Sequence, residues 1–153
     1  MVDTEVTVRG RIGNSPELQS APGKKPWLRL RVATNRRLRQ GDGWVDGPTS
    51  WYDVKVWDDF ARNVAESLRK GDAIVVQGSL FIEEYQNESG VTLRTPVIHA
   101  QALGPDLRSA TARIARVNRA VAEQRDGDGR VPAQPVDVSG MAEIPAAADP
   151  VLT

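Results

Sequence analysis

Ser50-Trp51-Tyr52-Asp53-Val54-Lys55-Val56-Trp57 alternates without a break, with Tyr52, Val54 and Val56 on one parity and Trp51, Asp53, Lys55 and Trp57 on the other. Residues two apart on a pleated strand project from the same face. The stretch therefore predicts a half-buried strand with one aliphatic side and one side of indoles and charge. Trp27-Leu28-Arg29-Leu30-Arg31-Val32-Ala33-Thr34 repeats the pattern, setting Leu28, Leu30 and Val32 against Trp27, Arg29 and Arg31. Two strands share one unusual outer side, so the fold must cover their aliphatic faces and leave indoles and cations outside.

Upstream, Val6, Val8 and Ile12 alternate with Thr7, Arg9 and Arg11 until Gly13-Asn14-Ser15-Pro16 breaks the run. Between the two tryptophan-bearing strands a polar segment with Gly41, Gly43 and Gly47 reads as a loop. It carries Trp44, as a flap contact or a loop anchor. Downstream, Asp58 or Asp59 is expected to cap a helix. Phe60, Val64 and Leu68 form its apolar stripe, Arg69 and Lys70 occupy its last turn, and Gly71 stops it. A fourth strand is predicted over residues 73–82, with Ile74, Val76, Leu80 and Ile82 on one face. Asn87-Glu88-Ser89-Gly90 reads as a hairpin tip, and a fifth strand runs from about residue 91 to 103, interrupted by Pro96. Three strands, a helix and two strands match a mainly-β fold, the five-stranded Greek-key barrel called the OB-fold.

All eight aromatic residues of the 153-residue chain lie between Trp27 and Tyr85, so a second core is not expected. Residues 1–108 are read as the barrel domain and 109–153 as a tail. Leu107, Ile114, Val117 and Val121 have a rough heptad spacing that allows a helix to about residue 125. Disorder is expected from Asp126 onward, where almost nothing can be buried. No apolar run approaches the roughly 18 residues of a membrane span. The start of the chain lacks the basic and apolar regions of a signal peptide, which points to the cytoplasm. There is no cysteine, hence no disulfide, thiolate or zinc–thiolate chemistry, and no cofactor or metal is expected.

Lys+Arg and Asp+Glu number 20 each, so the net charge is zero, but only on average. Lys24, Lys25, Arg29, Arg31, Arg36, Arg37 and Arg39 fall between Gly23 and Gln40 with no acid among them. A solvated face would account for such a run by itself, and charge alone leaves the partner open. The tryptophans narrow it. Indoles exposed among cations are unfavourable unless something flat and anionic covers them, and unpaired nucleic acid is both. Its bases stack on aromatic rings whatever their identity, and its phosphates meet Arg and Lys. A duplex hides the base faces, so single strands are indicated. Trp51, Trp57 and Tyr85 are assigned to stacking, and Arg9, Arg11, Arg29, Arg31 and Lys55 to phosphate. Trp27, Arg36, Arg37 and Arg39 extend the track. These residues do not separate DNA from RNA.

An enzyme is the rival class. Asp58 and Asp59 are adjacent at a helix start, point in different directions and are explained by capping. His99 stands alone, with no nucleophile beside it. No catalytic role is expected.

Several segments carry a resemblance. Val8-Arg9-Gly10-Arg11-Ile12-Gly13, Leu30-Arg31-Val32-Ala33-Thr34 and Trp51-Tyr52-Asp53-Val54-Lys55-Val56-Trp57 resemble the bacterial single-stranded DNA-binding protein family. So do Leu68-Arg69-Lys70-Gly71-Asp72 and Val76-Gln77-Gly78-Ser79-Leu80, in the family's order over residues 1 to about 108. The resemblance implies that Trp51 is the main stacking tryptophan, that Trp57 stands where a second stacking aromatic is found, and that Tyr85 is the aromatic of the hairpin between strands four and five. Leu38 stands where many members have a further tryptophan, a platform that Trp44 is placed to replace. Tyr52 falls near the family's subunit contacts, and a homotetramer built as a dimer of dimers is implied. Most members end in an acidic tip closing with Pro-Phe that recruits other proteins. Ala148-Asp149-Pro150-Val151-Leu152-Thr153 does not match it, so such partners are not expected. In this the chain resembles a shorter, specialised paralogue.

Overall fold

The computed structural model describes residues 2–117. Five strands and a helix follow in the order β1 (Glu5–Ile12), β2 (Trp27–Gln40), β3 (Gly43–Trp57), α1 (Asp58–Ser67), β4 (Ala73–Gln86) and β5 (Thr92–Pro105). They close into a barrel in the order β1-β2-β3-β5-β4, as the order of elements predicts. The β3–β5 pairing is parallel and the rest antiparallel. The chain divides after Ala112, and the barrel belongs to the first unit.

The aliphatic parities meet inside. Leu28, Leu30, Val32, Val54, Val56, Ile74, Val76 and Ile98 are all fully buried. Each leucine or isoleucine so buried contributes roughly 1.5–3 kcal/mol. Helix α1 adds Ala61 and Val64, with Leu68 just past its end, so its apolar stripe sits in the same core. Ile82 is a correction: it is 57% exposed, because β4 runs on past the barrel to Gln86 as one arm of a hairpin. Pro96 does not interrupt β5, which is continuous through it.

Neither expected acid caps α1. The position before the helix is Trp57, with no side-chain hydrogen bond to the helix. Asp58 turns through a left-handed conformation (φ 60°), and its carboxylate accepts from Lys25 Nζ at 2.9 Å. The short side chain of Asp tolerates that backbone, and it ties the loop before β2 to the helix start. Asp59 lies 3.8 Å from Arg62. At the other end the helix stops at Ser67, so Arg69 and Lys70 lie beyond it rather than in its last turn. Arg69 Nη1 donates to the carbonyls of Ala65, Glu66 and Leu68, supplying partners that the last turn lacks.

β2 and β3 are longer than the apolar alternation predicts. The segment read as a loop is an extended hairpin, paired residue by residue out to Gln40↔Gly43. Trp44 therefore lies on a strand. Residues 106–117 carry no helix or strand. The remainder of the expected helix and the expected disorder lie outside the described residues.

Candidate nucleic-acid interface

The site is the outward face of the β2–β3 ribbon, and its register sets which side chains stand together. From the barrel outward the opposed pairs are Trp27↔Trp57, Arg29↔Lys55, Arg31↔Asp53, Ala33↔Trp51 and Asn35↔Thr49. A register shift follows, and the pairs Arg37↔Asp46 and Arg39↔Trp44 complete the ribbon. Gly47 and Pro48 together oppose Arg36, a bulge with one extra residue on β3. Beyond it the parity of β3 is inverted, and Trp44 comes to the face that carries Trp51 and Trp57. All four tryptophans thus share one side, a track of roughly 40 Å from six two-residue steps of about 6.8 Å. Leu38 pairs with Val45 on the opposite side.

Each indole is held differently. Trp51 is 44% exposed. Its ring leans on Gly13, where a Cβ would lie 2.6 Å from Cζ3, and the Arg31 guanidinium lies 5.0 Å from the ring centroid. The neighbouring Asn14 clamps this corner, accepting from Arg31 N–H and donating to the Arg29 carbonyl. Trp57 meets His99 edge-on with centroids 4.8 Å apart, and His99 meets Phe81 at 4.6 Å. An aromatic path therefore leaves the ribbon across β5 to β4, through Phe81 toward Tyr85. Both Phe81 and Tyr85 are exposed, Tyr85 opposite Leu93 on the β4–β5 arm. Neither Phe81 nor His99 is legible in the sequence as part of this face. Their place depends on the β3–β5 register, which sets Lys55 beside His99. Against Trp27 and Trp57 lies a shallow open cleft of about 460 Å³, also lined by Gln19, Lys24 and Lys25.

The cations fall into two groups. Part of the run that is free of acids in the sequence acquires them through the sheet, as do two cations outside it. Asp53 lies under Arg29 (2.9 Å) and Arg31 (3.7 Å), Glu83 takes Lys55 (2.7 Å) and Asp106 takes Arg9 (2.9 Å). Arg37 and Arg39, on the tryptophan side of the ribbon's outer arm, and Arg36, which β2's alternation turns to the opposite side with Leu38, form no ion pair among the described residues. Arg11 stands opposite Ala33, one strand from Trp51, and donates to the Gly71 carbonyl at 3.0 Å. Arg9 lies two residues along β1 from Arg11, beyond the two β1–β2 pairs, and its guanidinium is held by Asp106. Among the described residues no group of three or more His, Cys, Asp or Glu is arranged to hold a metal. No helix there is long and apolar enough to cross a membrane.

A model described as the single-strand binding protein family matches residues 3–106. A curated single-stranded DNA-binding protein of Paenarthrobacter nicotinovorans is 34% identical over 131 residues, covering 83% of this chain and 77% of its own. Among solved structures, the small single-stranded DNA-binding protein of Streptomyces coelicolor superposes with a TM-score of 0.64 at 29% identity, covering 72% of this chain and all of its own. The second single-stranded DNA-binding protein of Mycobacterium smegmatis gives 0.57 at 33%, covering 75% of this chain and all of its own.

Proposed function

The chain belongs to the single-strand binding protein family, and we propose that it binds and protects single-stranded DNA with little regard to base sequence, without catalysis or a cofactor. The observation that carries this reading is the row of four tryptophans on one face of the β2–β3 ribbon, interleaved with Arg and Lys. Bases stack on Trp51, Trp57 and Trp44, the last supplying the platform that Leu38, on the opposite side, does not. Tyr85 and Phe81 continue the path on the β4–β5 arm. Phosphates meet Arg11, Arg29, Arg31 and Lys55 near the barrel and Arg37 and Arg39 along the arm, while Trp27 and Arg9 lie at the margins and Arg36 on the opposite side of the ribbon. Stacking is indifferent to base identity because every base has a π-face, and it excludes duplex, whose base faces are already stacked on their neighbours.

The protein then acts in the cytoplasm on strands opened by replication, repair, recombination or DNA uptake. Its functional form is a homotetramer, a dimer of dimers. Titrating tryptophan emission with oligo(dT), with matched duplex and oligo(U) as competitors and mass measured in solution, tests the binding and the assembly. Strong quenching by oligo(dT), little competition by duplex and weaker competition by RNA are expected. Unchanged emission at saturating oligo(dT) overturns the assignment, and oligo(U) competing better than oligo(dT) replaces it with an RNA-binding one.

A further inference from the structure

Asp53 stands on the outward face of β3, yet its side chain is only 8% exposed. A carboxylate on the outer face of a barrel ordinarily projects into water. Here two guanidinium groups cover it, Arg29 Nη2 at 2.9 Å from Oδ2 and Arg31 Nε at 3.7 Å from Oδ1. Both arginines keep about half of their side chains exposed. Arg31 also spans Trp51, its guanidinium carbon 5.0 Å from the ring centroid. The other support of that indole is the backbone at Gly13. Asp53 is the buried member of a linked set, Arg29–Asp53–Arg31–Trp51, whose other members all face solvent.

Resting on the reading of this face as the strand-binding surface, we propose that Asp53 is a positioning residue for recognition. It holds Arg31 against one face of Trp51 and so fixes the indole at the angle from which a base stacks. It does so by neutralising one of two guanidinium charges, and its removal therefore has two effects of opposite sign. Two unneutralised arginines attract phosphate more strongly, an effect that salt erodes. An unbraced Trp51 stacks less well, and stacking persists when salt has screened the charges. A residue serving charge alone produces only the first effect.

Salt separates the two. With the full chain and oligo(dT), Asp53→Asn is expected to steepen the log–log salt dependence by about 0.7, one further neutralised phosphate on a single strand. It binds more tightly than wild type at low salt. In high salt it binds about five- to tenfold more weakly, the low end of what one stacked base contributes, so the two lines cross. Asp53→Glu keeps the charge but misplaces it, and is expected to retain the slope and show the high-salt loss. Because Asp53 acts through Arg31, the Asp53→Asn/Arg31→Gln double variant is no weaker at high salt than Arg31→Gln alone. Tighter binding by Asp53→Asn at every salt concentration, an unchanged slope, or additive high-salt losses in the double variant each overturn the proposal. Circular dichroism melts accompany each variant. Should Asp53→Asn fail to fold, Asp53→Glu decides: a high-salt affinity equal to wild type overturns the proposal. A wild-type chain that leaves oligo(dT) unbound overturns the function of the surface itself, a result distinct from any of these.

Discussion

Trp44 and Trp51 are seven residues apart on β3, an odd spacing that in a regular strand puts side chains on opposite faces, yet both occupy the same side of the ribbon. The bulge at Gly47-Pro48 inverts the parity between them. Gly47 suits the bulge because a Cβ there would lie 2.8 Å from the Arg36 carbonyl oxygen and 3.1 Å from Leu38. Proline suits it because a bulged residue need not donate to the ladder.

The bulge is therefore predicted to be a binding element. Trp44→Ala should weaken oligo(dT) binding by about 1–3 kcal/mol, as for one stacked base. Deleting Pro48, which restores the regular parity and turns Trp44 away, should produce a loss of similar size with Trp44 still present. Fluorescence titration of both variants checks this. A Pro48 deletion that binds like wild type would show that the side on which Trp44 stands does not matter.

Ion pairing divides the cations into those already engaged and those open to phosphate. Replacing Arg37 and Arg39 together with Gln should lower the log–log salt slope by about 1.4, or about 0.7 for each phosphate no longer neutralised. Arg9→Gln should leave the slope nearly unchanged, because Arg9 lies beyond the β1–β2 pairing and is ion-paired with Asp106. Binding isotherms at four or more salt concentrations measure both.

The same division marks where the sequence is legible. Leu28, Leu30, Val32, Val54 and Val56 alternate because one side of each strand is core, and that pattern carries the barrel and Trp27, Trp51 and Trp57. Residues 35–49 have solvent on both sides, so no apolar period marks them as strand. Their pairing comes from the hairpin, and the bulge leaves no trace beyond a Gly-Pro that reads equally as a turn. The acids that meet Arg9, Arg29, Arg31 and Lys55 come from other strands or from the segment beyond β5, and no local charge count reveals them. Asp58 is ambiguous for a related reason: a capping residue and a left-handed turn residue have the same composition.

Trp51 depends on a small residue one strand away. A methyl group at Gly13 would sit 2.6 Å from Cζ3 and 3.0 Å from Cη2 of the indole, at the far end of a side chain that can move. Gly13→Ala should therefore leave the melting temperature nearly unchanged while displacing the ring. The expected result is weaker oligo(dT) binding, by less than Trp51→Ala costs, and altered emission in the free protein. A large loss of stability would show instead that the backbone of the turn yields.

Gly78 presents the opposite case, a glycine whose replacement meets backbone. A Cβ there would overlap the His99 carbonyl oxygen and lie 2.8 Å from its carbon and 3.0 Å from Ala100 Cα, at the register shift where β4 and β5 close the barrel. Neither strand can yield locally, because Ile74, Val76 and Ile98 on either side are fully buried. Gly78→Ala should cost about 1–3 kcal/mol of stability, as overpacking of a tight core does. His99 also touches Trp57 and Phe81, so part of the aromatic path should shift with it. Gly104→Ala is the matched control, since nothing lies within 4 Å of its added methyl group, and it should fall within about 0.5 kcal/mol of wild type. Urea unfolding of the two variants gives the comparison. Equal stabilities would mean that β4 and β5 separate at the shift without disturbing the core beneath them.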